Sequence, residues 1–292
     1  MARETVLVTG ASSGIGRSIA SELPRRGHRV IAAMRDPAGK NAQAAAALKA
    51  GGCAVIDIDV TRDDSVARGV AKALAETGGI DVLVNCAGIM WLGVGEAFGL
   101  GQFDTVMQTN LYGPFRMMKA VLPGMRARGS GLIIAVSSIA GRIVTPGSGL
   151  YSASKFALEA LTEAMRYETA ALGIDCVIVE PGPFRTQLKA NGMPAENSAV
   201  AAAYGPLAEL QKLMPARMAK HLEAPGVTTD PHAVAELICR LIDMPAGTRP
   251  LRSTVGLDMG VAELNRVVAP FQHDYLAAMG LEACETVAAR KK

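Results

Sequence analysis

The chain of 292 residues contains little of what marks several common protein classes. Its five cysteines include no Cys-x-x-Cys pair and its four histidines are scattered, so neither a disulfide framework nor a metal site is predicted. No apolar run approaches the length of about 18 residues that a membrane-spanning helix needs. The first residues lead directly into an apolar strand, without the apolar region of a signal peptide. We therefore expect a cytoplasmic protein with reduced cysteines and no membrane span.

An excess of charge of one sign is also lacking. The 30 lysines and arginines nearly balance the 27 aspartates and glutamates, and the formal net charge of +3 is dispersed along the chain. Such a balance does not indicate a nucleic-acid partner or an anionic membrane surface. Half of the residues are hydrophobic, a fifth are charged and 4% are aromatic, which is typical of a folded globular protein.

Short apolar runs alternate with longer helical patterns, and this order indicates an α/β fold. The predicted strands are residues 5–9, 29–34, 53–57, 80–84, 132–136, 174–179 and 250–255. The predicted helices are a first one that ends near residue 26, then residues 40–50, 63–77, 103–126, 150–172 and 199–220, and another that starts at residue 231. Because the strands are continuously apolar, both of their faces should be buried. We therefore predict one domain with a doubly wound, Rossmann-type parallel sheet of about seven strands and helices on each side.

The regular alternation ends at Pro181. Five prolines fall within residues 182–230, around the single predicted helix 199–220. We interpret residues 1–181 as the cofactor-binding and catalytic core and residues 182–230 as a substrate-binding insertion near the carboxyl ends of the strands. Residues 231–292 hold the last helix, the last strand and a helical C-terminal extension. The extension runs from residue 259 to a basic tail of one arginine and two lysines.

A glycine-rich turn lies between the first strand and the first helix. It reads Thr9-Gly-Ala-Ser-Ser-Gly-Ile-Gly16, with the spacing Gly-x-x-x-Gly-x-Gly. Glycines permit a tight turn and let a pyrophosphate approach the backbone, and the helix N-terminus offers free N–H groups and a partial positive charge. The turn therefore predicts a dinucleotide site, whose candidate contacts are Gly10, Ser12, Ser13, Gly14, Ile15 and Gly16.

Tyr151 and Lys155 stand four residues apart in a predicted helix and therefore share one face of it. A lysine beside a tyrosine favours the phenolate and lowers a pKa that is ordinarily about 10. Such a pair suits proton transfer to or from an alcohol. Because the same spacing also occurs by chance on helix surfaces, the pair by itself leaves a plain surface role open.

Several motifs together resemble the short-chain dehydrogenase/reductase family. They are the glycine turn, Asn85-Cys-Ala-Gly88, Asn110, Ser138 thirteen residues before Tyr151, Tyr151-x-x-x-Lys155, and Pro181-Gly182 after a strand. They stand in the family's order across residues 5–186. Glu180-Pro-Gly-Pro-Phe184 and Arg249-Pro-Leu-Arg252 are similar to the branch that includes steroid and retinol dehydrogenases. The resemblance implies hydride transfer between a nicotinamide dinucleotide and an alcohol or carbonyl compound.

The family also implies a role for each matching residue. Tyr151 would be the general acid or base, and Lys155 would lower its pKa and bind the nicotinamide ribose. Ser138 would bond the substrate oxygen, and Asn110 would anchor a water that connects Lys155 to solvent. A solvent-facing Asn110 is the alternative. The remaining implied cofactor contacts are Asp59, Val60, Asn85, Ala87, Gly88, Pro181, Gly182 and Thr186. For two of them a structural role is the alternative: Asp59 would cap the end of a strand, and Asn85 would tie neighbouring strands together.

The end of the second strand indicates which dinucleotide is bound. The family places an acidic residue there to bond the 2'-hydroxyl of NAD, whereas this chain has Met34 followed by Arg35. A guanidinium can bind a 2'-phosphate through charge-assisted hydrogen bonds. We therefore predict NADP(H), with NAD less favoured and Ser13 as a second phosphate ligand. The alternative is an Arg35 that is only solvated beside Asp36.

The substrate is predicted to be a hydrophobic ketone, aldehyde or secondary alcohol. The expected pocket lining is largely apolar: Met90, Trp91, Leu92, Val144, Leu150, Phe184 and parts of the insertion. The family's habit of pairing through the helices at 103–126 and 150–172 implies a homodimer rather than a tetramer. Three other functions stay open, namely a non-catalytic dinucleotide-binding regulator, a sugar-nucleotide epimerase or dehydratase, and an enoyl reductase.

Overall fold

Seven parallel strands form one sheet in the order β3-β2-β1-β4-β5-β6-β7, in a computed structural model that describes residues 3–188 and 191–288. The strands are β1 (Thr5–Val8), β2 (Arg29–Met34), β3 (Ala54–Asp57), β4 (Val82–Asn85), β5 (Gly131–Val136), β6 (Ile174–Pro181) and β7 (Arg252–Val255). The helices are α1 (Gly14–Glu22), α2 (Ala42–Ala50), α3 (Asp63–Thr77), α4 (Leu100–Met107), α5 (Gly113–Arg128), α6 (Gly149–Thr169), α7 (Ser198–Ala203), α8 (Pro206–Leu222), α9 (His232–Asp243) and α10 (Val261–Ala278). The predicted doubly wound α/β fold is confirmed.

The sheet is covered on both faces, which is why its strands are apolar throughout. Successive side chains of a strand point to opposite faces, so Val6 and Val8 join one core cluster and Leu7 joins the other. The first cluster packs under α1 and α9, and the second packs under α3 and α5. All residues of β4 and β6 are buried.

The strand order reverses between β1 and β4, and ligands of such sheets bind at this switch point, outside the carboxyl ends of the strands. The register pairs Val8 with Val84 and Asn85 with Ala135, so β1, β4 and β5 end side by side. The segments that follow these three strands carry the glycine turn, the motif 85–88 and Ser138. Sheet topology therefore brings three distant sequence motifs to one edge.

The predicted helix 103–126 is wrong as a single α-helix. It consists of α4, a π-helical turn at Gln108–Tyr112 and then α5. Pro114 lies at the start of α5 and has no N–H to donate to the carbonyl of Asn110, four residues earlier. The N–H of Gly113 instead donates to the carbonyl of Gln108, five residues earlier, which is the hydrogen bond of a π-helical turn. This turn carries Asn110.

Three other predicted boundaries also differ. The helix predicted at 199–220 is two helices, α7 and α8, separated by Gly205 with a φ of 37°. The first helix is α-helical only to Glu22 and continues as a 3₁₀ turn, Leu23–Arg26, with a proline in its first turn. The last strand begins two residues later than predicted because Pro250 cannot donate a ladder hydrogen bond.

The C-terminal extension is confirmed as helical over α10 and a short 3₁₀ turn, Glu282–Glu285. The predicted basic tail, residues 290–292, lies outside the described residues. In the part of the chain that the structure describes, no helix has the length and apolarity needed to cross a membrane. On the helices of the predicted dimer contact, Phe115 and Phe156 are 37% and 39% exposed, and the homodimer stays a prediction.

Candidate active site

The glycine turn after β1 is shaped by contacts that exclude side chains. Gly10 and Gly14 have φ values of 68° and 52°, a region that other residues seldom adopt. A Cβ on Gly10 would lie 2.8 Å from Cα of Ala87, and a Cβ on Gly16 would collide with the carbonyl oxygen of Gly10. Glycine at these positions therefore lets the turn pack closely against the segment after β4 and against the start of α1, and a tight turn of this kind fits a dinucleotide.

The N-terminus of α1 opens into a polar cavity of about 550 Å³. Its lining residues are Ser12, Ser13, Gly14, Arg17, Arg185, Thr186 and Gln187. Ser13 is the N-cap residue, and its side chain caps none of the described amides. Free N–H groups and two guanidinium groups make the cavity suited to a pyrophosphate.

Three residues of this cavity were not predicted from the sequence, namely Gln187 and the two arginines. Arg17 follows the last glycine of the turn, and Arg185 immediately precedes Thr186. Their positions beside predicted cofactor contacts are the signal that could have identified them. The predicted Thr186 does reach the turn, since a Cβ on Gly14 would lie 3.2 Å from Cβ of Thr186.

The end of β2 presents Arg35 to solvent next to this turn. The N–H of Ala11 in the turn donates to the carbonyl of Ala33, which places the turn beside the end of the strand. Arg35 is exposed and forms no ion pair with any described residue, whereas Met34 is buried. The Asp36 carboxylate accepts hydrogen bonds from the N–H groups of Gly39 and Lys40 at 3.0 and 2.7 Å. It is therefore held inside its own turn rather than paired with Arg35.

Asp59 and Val60 follow β3. The Asp59 carboxylate accepts hydrogen bonds from the N–H and the hydroxyl of Thr61 at 3.0 and 2.7 Å. Asp59 therefore does cap the segment that follows β3. Val60 is buried, and a Cβ on Gly113 would lie 2.8 Å from its Cγ2. Their predicted contacts with the adenine remain predictions.

The segment after β4 is tied to the glycine turn by a single hydroxyl. Thr9 Oγ1 accepts hydrogen bonds from the N–H groups of Cys86 and Ala87 at 3.0 and 3.1 Å. Asn85 was expected to join neighbouring strands, and that expectation is wrong. Its Nδ2 donates to the carbonyl of Pro114 at 3.3 Å, so it joins β4 to α5, the helix that packs behind the strand.

Tyr151, Lys155 and Ser138 meet at the carboxyl edge of the sheet. Tyr151 and Lys155 lie on α6 and are 5% and 4% exposed, and Lys155 Nζ is 5.8 Å from the centre of the tyrosine ring. Ser138 follows β5, and its side chain lies close enough to the Tyr151 hydroxyl to favour the phenolate. Its Oγ also accepts from the N–H of Ala140 at 3.1 Å. The spacing of thirteen residues in the sequence thus becomes direct contact.

Burial controls the charges of this group. Loss of hydration raises the pKa of Tyr151 to about 12, although the nearby Ser138 side chain opposes the rise. Burial also lowers the pKa of Lys155 to about 8. The predicted lowering of the tyrosine pKa by Lys155 is not found, because burial raises the pKa of Tyr151. Lys155 Nζ donates instead to the carbonyl of Val136 at 2.9 Å. The Tyr151 hydroxyl therefore keeps its proton at neutral pH.

Asn110 is completely buried, so the solvent-facing alternative is wrong. Its Oδ1 accepts from the N–H of Ile89 at 2.9 Å, and its Nδ2 donates to the carbonyl of Ile89 and to Ser154 Oγ at 2.8 and 2.9 Å. Lys155 lies close by, because a Cβ on Gly88 would be 3.4 Å from Asn110 Oδ1 and 3.8 Å from Lys155 Nζ. Asn110 thus holds the chain that passes over Lys155.

The loop after β6 approaches the loop after β7 too closely for a side chain at Gly182. The N–H of Gly182 donates to the carbonyl of Val255 at 2.9 Å, and a Cβ there would collide with the carbonyl of Leu257. Pro181 ends β6 and is buried. Phe184, predicted in the pocket lining, instead packs against the core and beside Gly256.

The other predicted lining residues differ in exposure. Trp91 and Leu150 are each 8% exposed, whereas Leu92 and Val144 are 41% and 62% exposed. Met90 is half-buried. Within residues 3–188 and 191–288, no group of histidine, cysteine and carboxylate side chains is arranged to hold a metal ion.

Known proteins resemble this chain over most of its length. The family described as short chain dehydrogenase matches residues 4–197. Human retinol dehydrogenase 8 is 39% identical over 193 residues, which are 64% of this chain and 61% of the human protein. Human 17-beta-hydroxysteroid dehydrogenase type 1 is 38% identical over 205 residues, or 67% of this chain and 62% of that protein. The chain thus matches about three fifths of the length of these two relatives.

The solved structure of a short-chain dehydrogenase from Streptomyces avermitilis has a TM-score of 0.74 to this chain and is 33% identical to it. That likeness covers 95% of this chain and 99% of the other. The family match extends from β1 past β6 and so includes both the glycine turn and the tyrosine-lysine pair. On these grounds the chain belongs to the short-chain dehydrogenase/reductase family of oxidoreductases and resembles the retinol and steroid dehydrogenases among its members.

Proposed function

We propose that the protein interconverts a hydrophobic secondary alcohol with the corresponding ketone, or a primary alcohol with its aldehyde, and that it uses NADP(H). The observation that carries this proposal is the contact between the buried Tyr151 hydroxyl and Ser138, one helical turn from Lys155 and beside the glycine turn. When bound, the dinucleotide supplies the hydride for reduction or accepts it in oxidation.

Each side chain then has a definite task. In reduction, the Tyr151 hydroxyl donates its proton to the carbonyl oxygen as the C–H bond forms, and in oxidation the phenolate takes the proton from the alcohol. Ser138 Oγ donates a hydrogen bond to the same oxygen and stabilises its developing charge. Lys155 binds the ribose and, with Asn110, lies on the route by which Tyr151 exchanges its proton with solvent.

The preference for NADP(H) rests on Arg35. Its exposed guanidinium stands beside the glycine turn and is paired with no described carboxylate. The Asp36 carboxylate, which could otherwise repel a 2'-phosphate, is occupied by backbone N–H groups. Arg35 is thus a cation that a 2'-phosphate could engage at the end of β2, where the nearby carboxylates of Asp36 and Asp57 accept hydrogen bonds from backbone N–H groups of the same loop.

A hydrophobic substrate is favoured by the residues near Tyr151. Trp91 and Leu150 are buried, and Leu92 and Val144 expose apolar side chains. The names of the two human relatives refer to retinol and to a 17-beta-hydroxysteroid, which are hydrophobic alcohols. A substrate that packs against these side chains would be stabilised by apolar burial rather than by ion pairing.

We expect the purified protein to oxidise NADPH in the presence of aliphatic, aromatic or steroid ketones, with kcat/KM at least about tenfold higher for NADPH than for NADH. Arg35→Ala should lower kcat/KM for NADPH about tenfold or more and leave that for NADH within about twofold, because only NADPH has the 2'-phosphate. Lys40→Ala is the control, since Lys40 is an exposed cation of the same loop. A preference for NADH in the wild-type protein would contradict the cofactor assignment.

The high pKa of Tyr151 predicts opposite pH responses in the two directions. Below its pKa of about 12, the phenolate fraction rises about tenfold per pH unit, so kcat/KM for alcohol oxidation should increase steadily from pH 7 to pH 9. Ketone reduction should stay level over this range, because the phenol predominates throughout. Initial rates at saturating dinucleotide measure both profiles. A fall in reduction centred near pH 8 would assign the controlling titration to Lys155 instead.

A further inference from the structure

The face of α6 that carries Tyr151 and Lys155 also carries two carboxylates, of which the first is buried. After Tyr151 and Lys155, the next residues at intervals of four are Glu159 and Glu163, so all four lie along one side of the helix. Glu159 is 2% exposed, and its field opposes the lowering of the Lys155 pKa. The mechanism described above makes no use of it.

Glu159 contacts the segment that holds the catalytic serine. The hydroxyl of Ser137 donates to Glu159 Oε1 at 2.7 Å, and both residues are buried. A Cβ on Gly141 would collide with that same carboxylate oxygen and lie 2.8 Å from Ser137 Oγ. Between these two contacts stands Ser138, whose Oγ caps the 3₁₀ turn Ile139–Gly141. The carboxylate thus holds the turn on both sides of Ser138.

The second carboxylate oxygen of Glu159 accepts a hydrogen bond from Arg252, the first residue of β7. Arg252 Nε donates to Glu159 Oε2 at 3.1 Å, and Arg252 Nη2 donates to Glu163 Oε2 at 2.6 Å. The hydroxyl of Tyr167 donates to Glu163 Oε1 at 2.7 Å. Because Arg252 and Ser137 occupy different oxygens, the Glu159 side chain cannot rotate without breaking a buried hydrogen bond.

The remaining neighbour is Glu180 on β6, which is completely buried. Its Oε2 accepts from Asn265 Nδ2 of α10 at 2.6 Å, and its Oε1 lies 3.7 Å from Arg252 Nε without a hydrogen-bond partner among the described residues. Burial and the nearby Glu159 raise the pKa of Glu180 to about 8. Arg252 therefore makes its hydrogen bonds to the two glutamates of α6 rather than to Glu180.

We propose that Glu159 is a positioning residue that acts through the hydroxyl of Ser137 to hold Ser138 Oγ in the place where it meets the substrate oxygen. This role rests on the proposed function, because it assigns Ser138 to the reacting oxygen. Arg252 keeps Glu159 in its orientation, and Glu163 serves only as the other partner of that guanidinium. Misplacement of a hydrogen-bond donor by a fraction of an ångström weakens transition-state stabilisation more than it weakens binding.

Substitution of Ser137 in two backgrounds tests this role. Ser137→Ala removes one oxygen atom and should lower kcat for ketone reduction about tenfold, while KM and the dinucleotide Kd from nucleotide fluorescence change less than about twofold. In a Ser138→Ala background, the same substitution should have no further effect on kcat, because the group that it positions is gone. A stabilising role unrelated to Ser138 would lower kcat by the same factor in both backgrounds.

Glu159→Ala should reproduce the kcat of Ser137→Ala, and the double variant should be no slower than either, since both remove the same contact. Glu163→Ala is the matched control, because Glu163 also binds Arg252 from α6 without touching the serine turn, and the kcat of this variant should stay within about twofold of wild type.

If Glu159→Ala does not fold, the effect of Ser137→Ala in the wild-type and Ser138→Ala backgrounds still tests the positioning role. An unchanged kcat in Ser137→Ala, or equal losses in the two backgrounds, would overturn the positioning role alone. A wild-type protein without turnover would overturn the proposed function and this role with it.

Discussion

Tyr151→Phe is expected to lower kcat about a thousandfold while the affinity for the dinucleotide stays within about twofold of wild type. Phenylalanine keeps the ring that packs at this buried position but removes the hydroxyl that Ser138 contacts. Without it, no other described side chain is placed beside Ser138 to give a proton to the carbonyl oxygen. The loss should appear equally in kcat and kcat/KM, because the proton transfer occurs only in the transition state.

Initial-rate measurements and dinucleotide fluorescence titrations separate the two effects. Tyr167→Phe is the control, because it removes a phenol hydroxyl from the same helix, four turns away, at a place where the partner is Glu163. We expect its kcat to stay within about threefold of wild type. If Tyr151→Phe retained even a tenth of the wild-type activity, Tyr151 could not be the general acid.

Asp175→Asn is expected to lower the free energy of unfolding by about 3 to 5 kcal/mol. Asp175 is completely buried on β6 and binds two guanidinium groups, Arg166 at 2.8 Å and Arg249 at 3.1 Å. The asparagine has nearly the same shape, so packing is preserved, but two buried cations lose the only carboxylate that contacts them among the described residues. Such uncompensated burial of charge is among the most destabilising changes in a protein interior.

The exposed Asp64 provides a matched control. It also binds two arginines, Arg68 at 2.9 Å and Arg62 at 3.3 Å, but its side chain is 48% exposed. Water can replace those contacts, so Asp64→Asn should lower the free energy of unfolding far less than Asp175→Asn. Urea unfolding followed by circular dichroism measures both values. Equal losses at the two sites would show that burial does not determine the contribution of Asp175.

Arg249 illustrates why the sequence did not reveal this cluster. The sequence singles out Arg249 and Arg252 as a branch-like motif after the last helix, without partners. In the structure Arg249 also donates to the carbonyls of Leu241 and Met244 at 2.6 and 2.5 Å and so closes the end of α9. Arg252, three residues later, turns instead to the glutamates of α6. The carboxylate partners of these two arginines, Asp175 and the glutamates of α6, could not be identified from spacing, because they come from distant segments.

The dinucleotide cradle could be predicted because its requirements are local. A turn with two positive φ values and close backbone contact needs glycine at particular steps, and that need appears directly as residue spacing. The π-helical turn at Asn110 is different. It depends on a proline four residues later and on the burial of an amide against Ile89 and Ser154, and the sequence pattern there matches a plain α-helix.

The sequence by itself determined the parallel sheet, the glycine turn and the order of the family's motifs. The reason is that strand burial, turn conformation and helical spacing are each encoded by neighbouring residues. Only the tertiary structure decided the electrostatics of the site. The raised pKa values of Tyr151 and Glu180 and the hydrogen bond from Arg252 to Glu159, 93 residues away, arise from burial and from contacts between distant segments. Low local polarity makes those contacts strong, and no short stretch of sequence encodes it.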